Sequence, residues 1–130
     1  MSTEDALAVA YSILVRMQSA IDDADHESLS ELFDDDAVLI GTSSHTHGRE
    51  DVDAYVRAVI EQPGTFRWEW RDVVVFHESP GLLGAACFGE IVISGAEQED
   101  RAPFRLTIFA VEQTSGWVIQ QFHGSAPASF

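Results

Sequence analysis

Three side chains with charge-binding or proton-transfer capacity fall inside segments that otherwise read as apolar strands: Glu90, Arg105 and His123. A guanidinium in mid-strand can hold a small carboxylate through two parallel N–H bonds. Its structural use is an ion pair with an acidic neighbour such as Glu90, or a stem that carries the charged head out to water. Strict alternation puts His123 on one strand face with Trp117, Ile119 and Gln121, opposite Val118, Gln120 and Phe122. An imidazole there can hold a carboxylate or pass a proton near neutral pH, or it can be a core histidine donating a ring N–H to a backbone carbonyl. Arg105 and His123 fall on neighbouring strands and together would make one anion-binding corner. Glu90, between Gly89 and Ile91, is a candidate general base, an ion-pair partner for Arg105, or an edge residue.

Other motifs carry less chemistry. His45 and His47 flank Thr46 and could supply two metal ligands, but no third is indicated, so neither a metal nor a cofactor is expected. Gly81-Leu82-Leu83-Gly84 lacks the glycine spacing and lysine of a phosphate loop, and there is no Gly-Xaa-Ser-Xaa-Gly elbow. Phe66, Trp68 and Trp70 alternate with Arg67, Glu69 and Arg71, which makes the aromatic set a core or cavity wall. Tyr11 and Tyr55 sit on apolar helical faces, each with a hydroxyl that needs a partner.

Charge narrows the partners. The 130 residues hold 22 acidic and 7 basic side chains, a net −15, and every basic residue is arginine. Such a surface repels phosphates and anionic headgroups, so neither nucleic acid nor a membrane is an expected partner. A lysine-free acidic surface fits a high-salt habitat or an ordinary acidic cytoplasmic protein. The apolar fraction of 45% supports a packed core. The single cysteine, Cys87, has no partner for an internal disulfide, and neither a leader nor a membrane-spanning run is read, which makes the cytoplasm the expected location.

The elements that must position these residues read as helices followed by strands. Leu7, Ala10, Leu14, Met17 and Ile21 give a helix over about 4–21, with Ser2 to Asp5 at its start. Asp22 to Asp25 caps a short second helix carrying Leu29, Leu32 and Phe33, and Asp34 to Asp36 leads into a strand at 37–40. A loop over 41–48 precedes a helix of about 49–61, closed by Pro63 and Gly64. Four β segments follow at roughly 65–77, 83–94, 102–112 and 116–123, with 124–130 as a short extension. This is an α+β chain, read as one domain over 1–130. On the third of these segments Phe104, Leu106, Ile108 and Ala110 share one face and Arg105, Thr107, Phe109 and Val111 the other. A sheet apolar on both faces predicts a homodimer packed through its outer face.

Over about residues 5–127 the layout resembles the nuclear-transport-factor-like superfamily, and its SnoaL-like branch in particular. The resemblance rests on Ile40-Gly41-Thr42 followed by Gly48, on Arg105-Xaa-Thr107, and on the ending Gly116-Trp117-Xaa-Ile119-Xaa-Xaa-Phe122-His123-Xaa-Ser125-Xaa-Pro127. That ending is also similar to the association (hub) domain of calcium/calmodulin-dependent protein kinase. The resemblance implies a cone: a curved antiparallel or mixed sheet covered by three N-terminal helices and enclosing a pocket, with Arg105 turned toward it. Candidate ligand-binding residues are Arg105, His123, Trp68, Trp117, Tyr55 and Glu90, with His123, Glu90 and Arg105 the candidates for catalysis. Two functions are expected of such a chain. One is a dimeric, non-catalytic module that binds a small organic acid or apolar compound, or serves assembly. The other is a cyclase, isomerase or dehydratase using acid/base chemistry on a small cyclic or polyketide-like substrate.

Overall fold

The structure, a computed structural model, describes residues 2–41, 44–95 and 97–127. Thr42 of the strand-end motif and the last three residues of the C-terminal extension lie outside the described residues. Helix α1 (Thr3–Asp22) begins where the Ser2 hydroxyl accepts the Asp5 N–H at 3.2 Å, with Glu4 and Asp5 in the turn whose free N–H groups favour negative charge. Its inner side buries Ala6, Ala10, Ile13, Leu14 and Met17. Asp25 caps α2 (His26–Glu31) by accepting the Ser28 N–H at 3.1 Å. The helix stops two residues before Phe33, which instead opens strand β1 (Phe33–Ile40) and carries the aspartate run 34–36 into the strand. Those acids stand at its solvated end while Ala37 and Leu39 are buried.

Residues His45–His47 form strand β2, not loop: they pair antiparallel with β1, Ile40 opposite His45 and Val38 opposite His47. Gly48, at φ +89°, then turns the chain into α3 (Arg49–Glu61), which buries Val52 and Val56. Strands β3 (Thr65–Ser79), β4 (Leu82–Ser94), β5 (Glu99–Gln113) and β6 (Gly116–Ser125) follow as antiparallel neighbours. Strand β5 starts three residues earlier than its apolar pattern, because Glu99 still finds a ladder partner in Ser94. Strand β1 runs parallel to β6, so the sheet is mixed.

The sheet order is β2-β1-β6-β5-β4-β3. Its ends, β2 and β3, are free edges that do not meet, so the sheet is open and the expected pocket-enclosing cone does not form. Helix α1 packs on β3 and α3 on β1, covering one face. Beneath them Leu83, Ala85, Cys87, Leu106, Ile108, Ala110 and Ile119 make the core. Burial pushes the Cys87 thiol up to about 12, which leaves it a small apolar side chain with no thiolate chemistry. No helix among the described residues is long and apolar enough to cross a membrane.

Candidate active site

Between the helices and the covered face of the sheet lies a cavity of about 610 Å³, within the range of small-molecule sites. Its sides come from all layers: Met17, Ile21 and Asp22 of α1, Tyr55, Val56, Val59 and Ile60 of α3, Phe66 and Trp68 of β3, and Phe104 and Phe122 of the central strands. The apolar periods of α1 and α3 dictate this, since each helix turns its stripe toward the sheet. Alternation does the same for Phe66 and Trp68. The Trp68 ring meets Phe66 edge-on at 5.4 Å and stacks on Trp70 at 6.0 Å, giving the wall flat aromatic surfaces. Trp68 Nε1 is buried with no hydrogen-bond partner among the described residues.

Two lining groups can exchange protons. Asp22 ends α1 and is exposed at the cavity's solvent side. Gln18, one turn back, holds it: Gln18 Nε2 donates to Asp22 Oδ1 at 2.9 Å and to the Phe66 carbonyl at 3.2 Å, while Gln18 Oε1 accepts the Trp68 backbone N–H at 2.8 Å. The other group is the Tyr55 hydroxyl. Burial raises its pKa above the ordinary phenol value, so it is a neutral donor throughout the physiological range. A Cβ on Gly41 would lie only 3.2 Å from this hydroxyl oxygen, so the missing side chain leaves the phenol its room.

Of the residues singled out in sequence, Tyr55 and Trp68 line the cavity and Arg105, His123, Glu90 and Trp117 do not. Arg105 lies on the outer face of β5, opposite Phe88 and Ser125, and its Nε donates to Ser125 Oγ at 3.2 Å. The alternation that buries Leu106 and Ile108 sends it there. His123 is exposed on the same face, opposite Thr107. The reason is a bulge: Phe109 pairs with Gln121 but Ala110 with Ile119, so Gln120 is an extra residue and the strand changes phase. Ile119 and Phe122 therefore both face inward, and His123 parts company with Trp117 and Ile119. Arg105 and His123 do share a face on neighbouring strands, but outside the cavity.

Glu90 is also on the outer face, where Arg71 donates to it and Arg101 Nη1 lies 3.6 Å away, so its partners are these and not Arg105. The cluster extends through Glu69, bonded by Arg101 at 2.8 Å and Arg67 at 2.9 Å, and these bonds hold the Glu69 carboxyl below the ordinary carboxylate range. Trp117 is partly buried at the other end of the sheet, its carbonyl accepting from Arg16 at 3.4 Å. Among the described residues no three histidine, cysteine or carboxylate side chains converge as a metal site. Gln18 was not singled out in sequence, Asp22 was read only as part of a helix-capping stretch, and Gly41 only as part of the strand-end motif. Asp22 follows directly on Ile21 of the apolar stripe, and that position at the stripe's end was the available signal.

Known proteins agree with this architecture. A proposed dehydratase of the NTF2-like family from Streptomyces avermitilis superposes with a TM-score of 0.85 at 14% identity, over 98% of this chain and 100% of that one. A proposed scytalone dehydratase from Novosphingobium aromaticivorans gives 0.83 at 9%, over 97% and 89%. A proposed calcium/calmodulin-dependent protein kinase II association domain from Xanthomonas campestris gives 0.82 at 15%, over 100% and 91%. At these identities the likeness is one of fold alone, so the resemblance of the C-terminal motif to the kinase hub domain gains no support. No curated protein matches the chain. Residues 11–129, which hold all six strands, α2, α3 and most of α1, match the SnoaL-like domain, and the chain belongs to that family.

Proposed function

We propose that the cavity takes a small, largely apolar, ring-bearing molecule and acts on it by acid/base chemistry, as a dehydratase, isomerase or cyclase does. One observation carries this reading: an aromatic-walled cavity of about 610 Å³ has a carboxylate, Asp22, and a neutral phenol, Tyr55, in its lining. Asp22 is the base. It accepts a proton from carbon next to a substrate carbonyl, and the electron pair of that C–H bond moves toward the carbonyl oxygen. Tyr55 donates a hydrogen bond to the oxygen on which the negative charge grows. The proton then returns to another atom of the substrate, for isomerisation, or leaves with a hydroxyl group as water, for dehydration. Two of the structural neighbours are described as proposed dehydratases, which favours this reading over the non-catalytic binding module. Pairing of two copies through the outer sheet face is proposed with it.

The test is to purify the chain, identify by mass spectrometry the small molecule that accompanies it, and assay turnover of that compound and its dehydrated or isomerised forms. Asp22→Asn is expected to cost about 100-fold or more in kcat with the fold intact. Full turnover by Asp22→Asn and Tyr55→Phe together would overturn the mechanism.

A further inference from the structure

The chain holds seven arginines and five histidines, and none of these side chains lines the cavity. All seven arginines are accounted for elsewhere in the fold. Arg67, Arg71, Arg101 and Arg105 stand on the outer sheet face. Arg16 bonds the Trp117 carbonyl, Arg49 bonds Asp53 and the end of α2, and Arg57 lies 3.1 Å from His26. Among the described residues the cavity's ionisable lining is therefore one carboxylate and one neutral phenol, set in a molecule of net charge −15. An anion in it would lose hydration, share the lining with the Asp22 carboxylate and meet no compensating cation among the described residues, a cost that falls on no neutral molecule.

The phenol is also unspent. The Tyr55 hydroxyl has no hydrogen-bond partner among the described residues, although the residue is half-buried, and a Cβ at Gly41 would crowd it at 3.2 Å. A donor of this kind is satisfied by an acceptor that the ligand brings.

Resting on the functional reading above, we infer that the cavity selects neutral ring compounds bearing an acceptor oxygen, that Tyr55 reads that oxygen, and that Asp22 excludes the corresponding carboxylates. Gly41 is the residue that sets Tyr55's reach. The small organic acid expected from Arg105 and His123 is thereby replaced as ligand class, since both of those side chains lie on the opposite face of the sheet.

Three probes of one shape separate the parts: 2-acetonaphthone (neutral, with an acceptor), naphthalene (neutral, without one) and 2-naphthoate (anionic). Equilibrium dialysis of the full chain at neutral pH is expected to give 2-acetonaphthone at least about tenfold tighter than 2-naphthoate. Tyr55→Phe keeps the ring and removes the donor, so it is expected to lose about tenfold for 2-acetonaphthone while naphthalene binds as before. Gly41→Ala, which crowds the hydroxyl, is expected to act in the same direction. Asp22→Asn is expected to strengthen 2-naphthoate and leave naphthalene unchanged. Equal affinity for the ketone and the carboxylate overturns the charge selection. A Tyr55→Phe protein that keeps its preference for the ketone over naphthalene overturns the role of the phenol. Either result leaves the cavity reading standing, whereas failure of all three probes to bind removes that reading and the inference together.

Discussion

The side-chain amide of Gln18 accepts the backbone N–H of Trp68 at 2.8 Å, and through its own N–H bonds it reaches both Phe66 and Asp22. One amide thus fixes the last turn of α1 to the start of β3 and holds the only carboxylate among the described residues of the cavity lining. Gln18→Leu keeps the volume and deletes all three bonds. It is expected to destabilise the fold by about 1–2 kcal/mol in chemical denaturation. Gln18→Glu restores the acceptor for Trp68 but sets a second carboxylate against Asp22. Recovery of stability in Gln18→Glu without recovery of ligand binding would separate the anchoring of β3 from the placement of Asp22. Unchanged stability in Gln18→Leu would contradict the anchoring.

A second polar junction ties the helices together. Arg49, at the start of α3, donates to the Ser30 carbonyl at 2.8 Å, to the Ser30 hydroxyl at 2.9 Å and to the Phe33 carbonyl, and it pairs with Asp53 at 3.3 Å. The Ser30 hydroxyl in turn donates to Asp53. That bond first, and Arg49 second, holds the Asp53 carboxyl below the ordinary carboxylate range. A carboxyl whose folded pKa is depressed adds stability above its unfolded pKa, near 3.8, and loses it as the pH falls through the folded value. Ser30→Ala is therefore expected to move the Asp53 titration upward toward the ordinary value, read by carbon-detected NMR, and to leave less stability for acid to remove. A titration of Asp53 unchanged by Ser30→Ala would show that Arg49 alone sets it.

These two junctions mark how far periodicity reaches. The stripes of α1 and α3 are plain in the sequence, because apolar residues at three and four must be buried, whereas a pocket between helices and sheet was implied only by the family resemblance. Tyr55 was placed on the inner face of α3 by the same period, and Trp68 on an aromatic wall by strand alternation. Arg105 was expected in the pocket from the family resemblance; alternation separates it from Phe104 and Leu106, but with both strand faces apolar it does not say which face is covered. His123 was not legible. One extra residue at Gln120 reverses every later position of the strand, and nothing in the types around it announces a bulge. Strand β2 was hidden because a three-residue strand has too few positions to show a period. Asp22 and Gln18 act through hydrogen bonds between distant elements, and spacing along one helix is silent about those.

Glycine 89 stands where a second bulge presses on the sheet. Trp70 pairs with Gly89 and Asp72 with Phe88, so Arg71 is the extra residue and the β3 backbone is driven against Gly89. A Cβ there would overlap the Glu69 carbonyl oxygen and come within 2.9 Å of Trp70 Cα, both backbone atoms that no rotamer change can move. Gly89→Ala is expected to destabilise by about 3 kcal/mol, since the ladder must shift to admit the methyl group. It should also disturb the Arg71 contact with Glu90 that the bulge sets up. A denaturation midpoint equal to that of the unaltered chain would show that the bulge relaxes at no cost.

The outer sheet face offers apolar surface beside arginine. Val74, Phe76 and Phe88 are 44%, 50% and 46% exposed, and Phe76 packs edge-on against Phe109 at 5.4 Å across Gly84, whose missing side chain lets the rings meet. Arg105 stands beside Phe88 and, among the described residues, has only the Ser125 hydroxyl as its hydrogen-bond partner. Two copies that pair here bury the aromatic patch, on a face where arginines pair with Glu69, Glu90 and Glu99, in molecules that each carry −15. Light scattering is expected to give a dimer at micromolar concentration, and Phe76→Glu a folded monomer. The salt dependence follows from the charge. If apolar burial drives pairing against the long-range repulsion of two acidic bodies, added salt screens the repulsion and the dimer tightens as ionic strength rises. A dimer that salt dissociates would be held by ion pairs instead, and a monomer at every salt concentration would leave the patch without this partner.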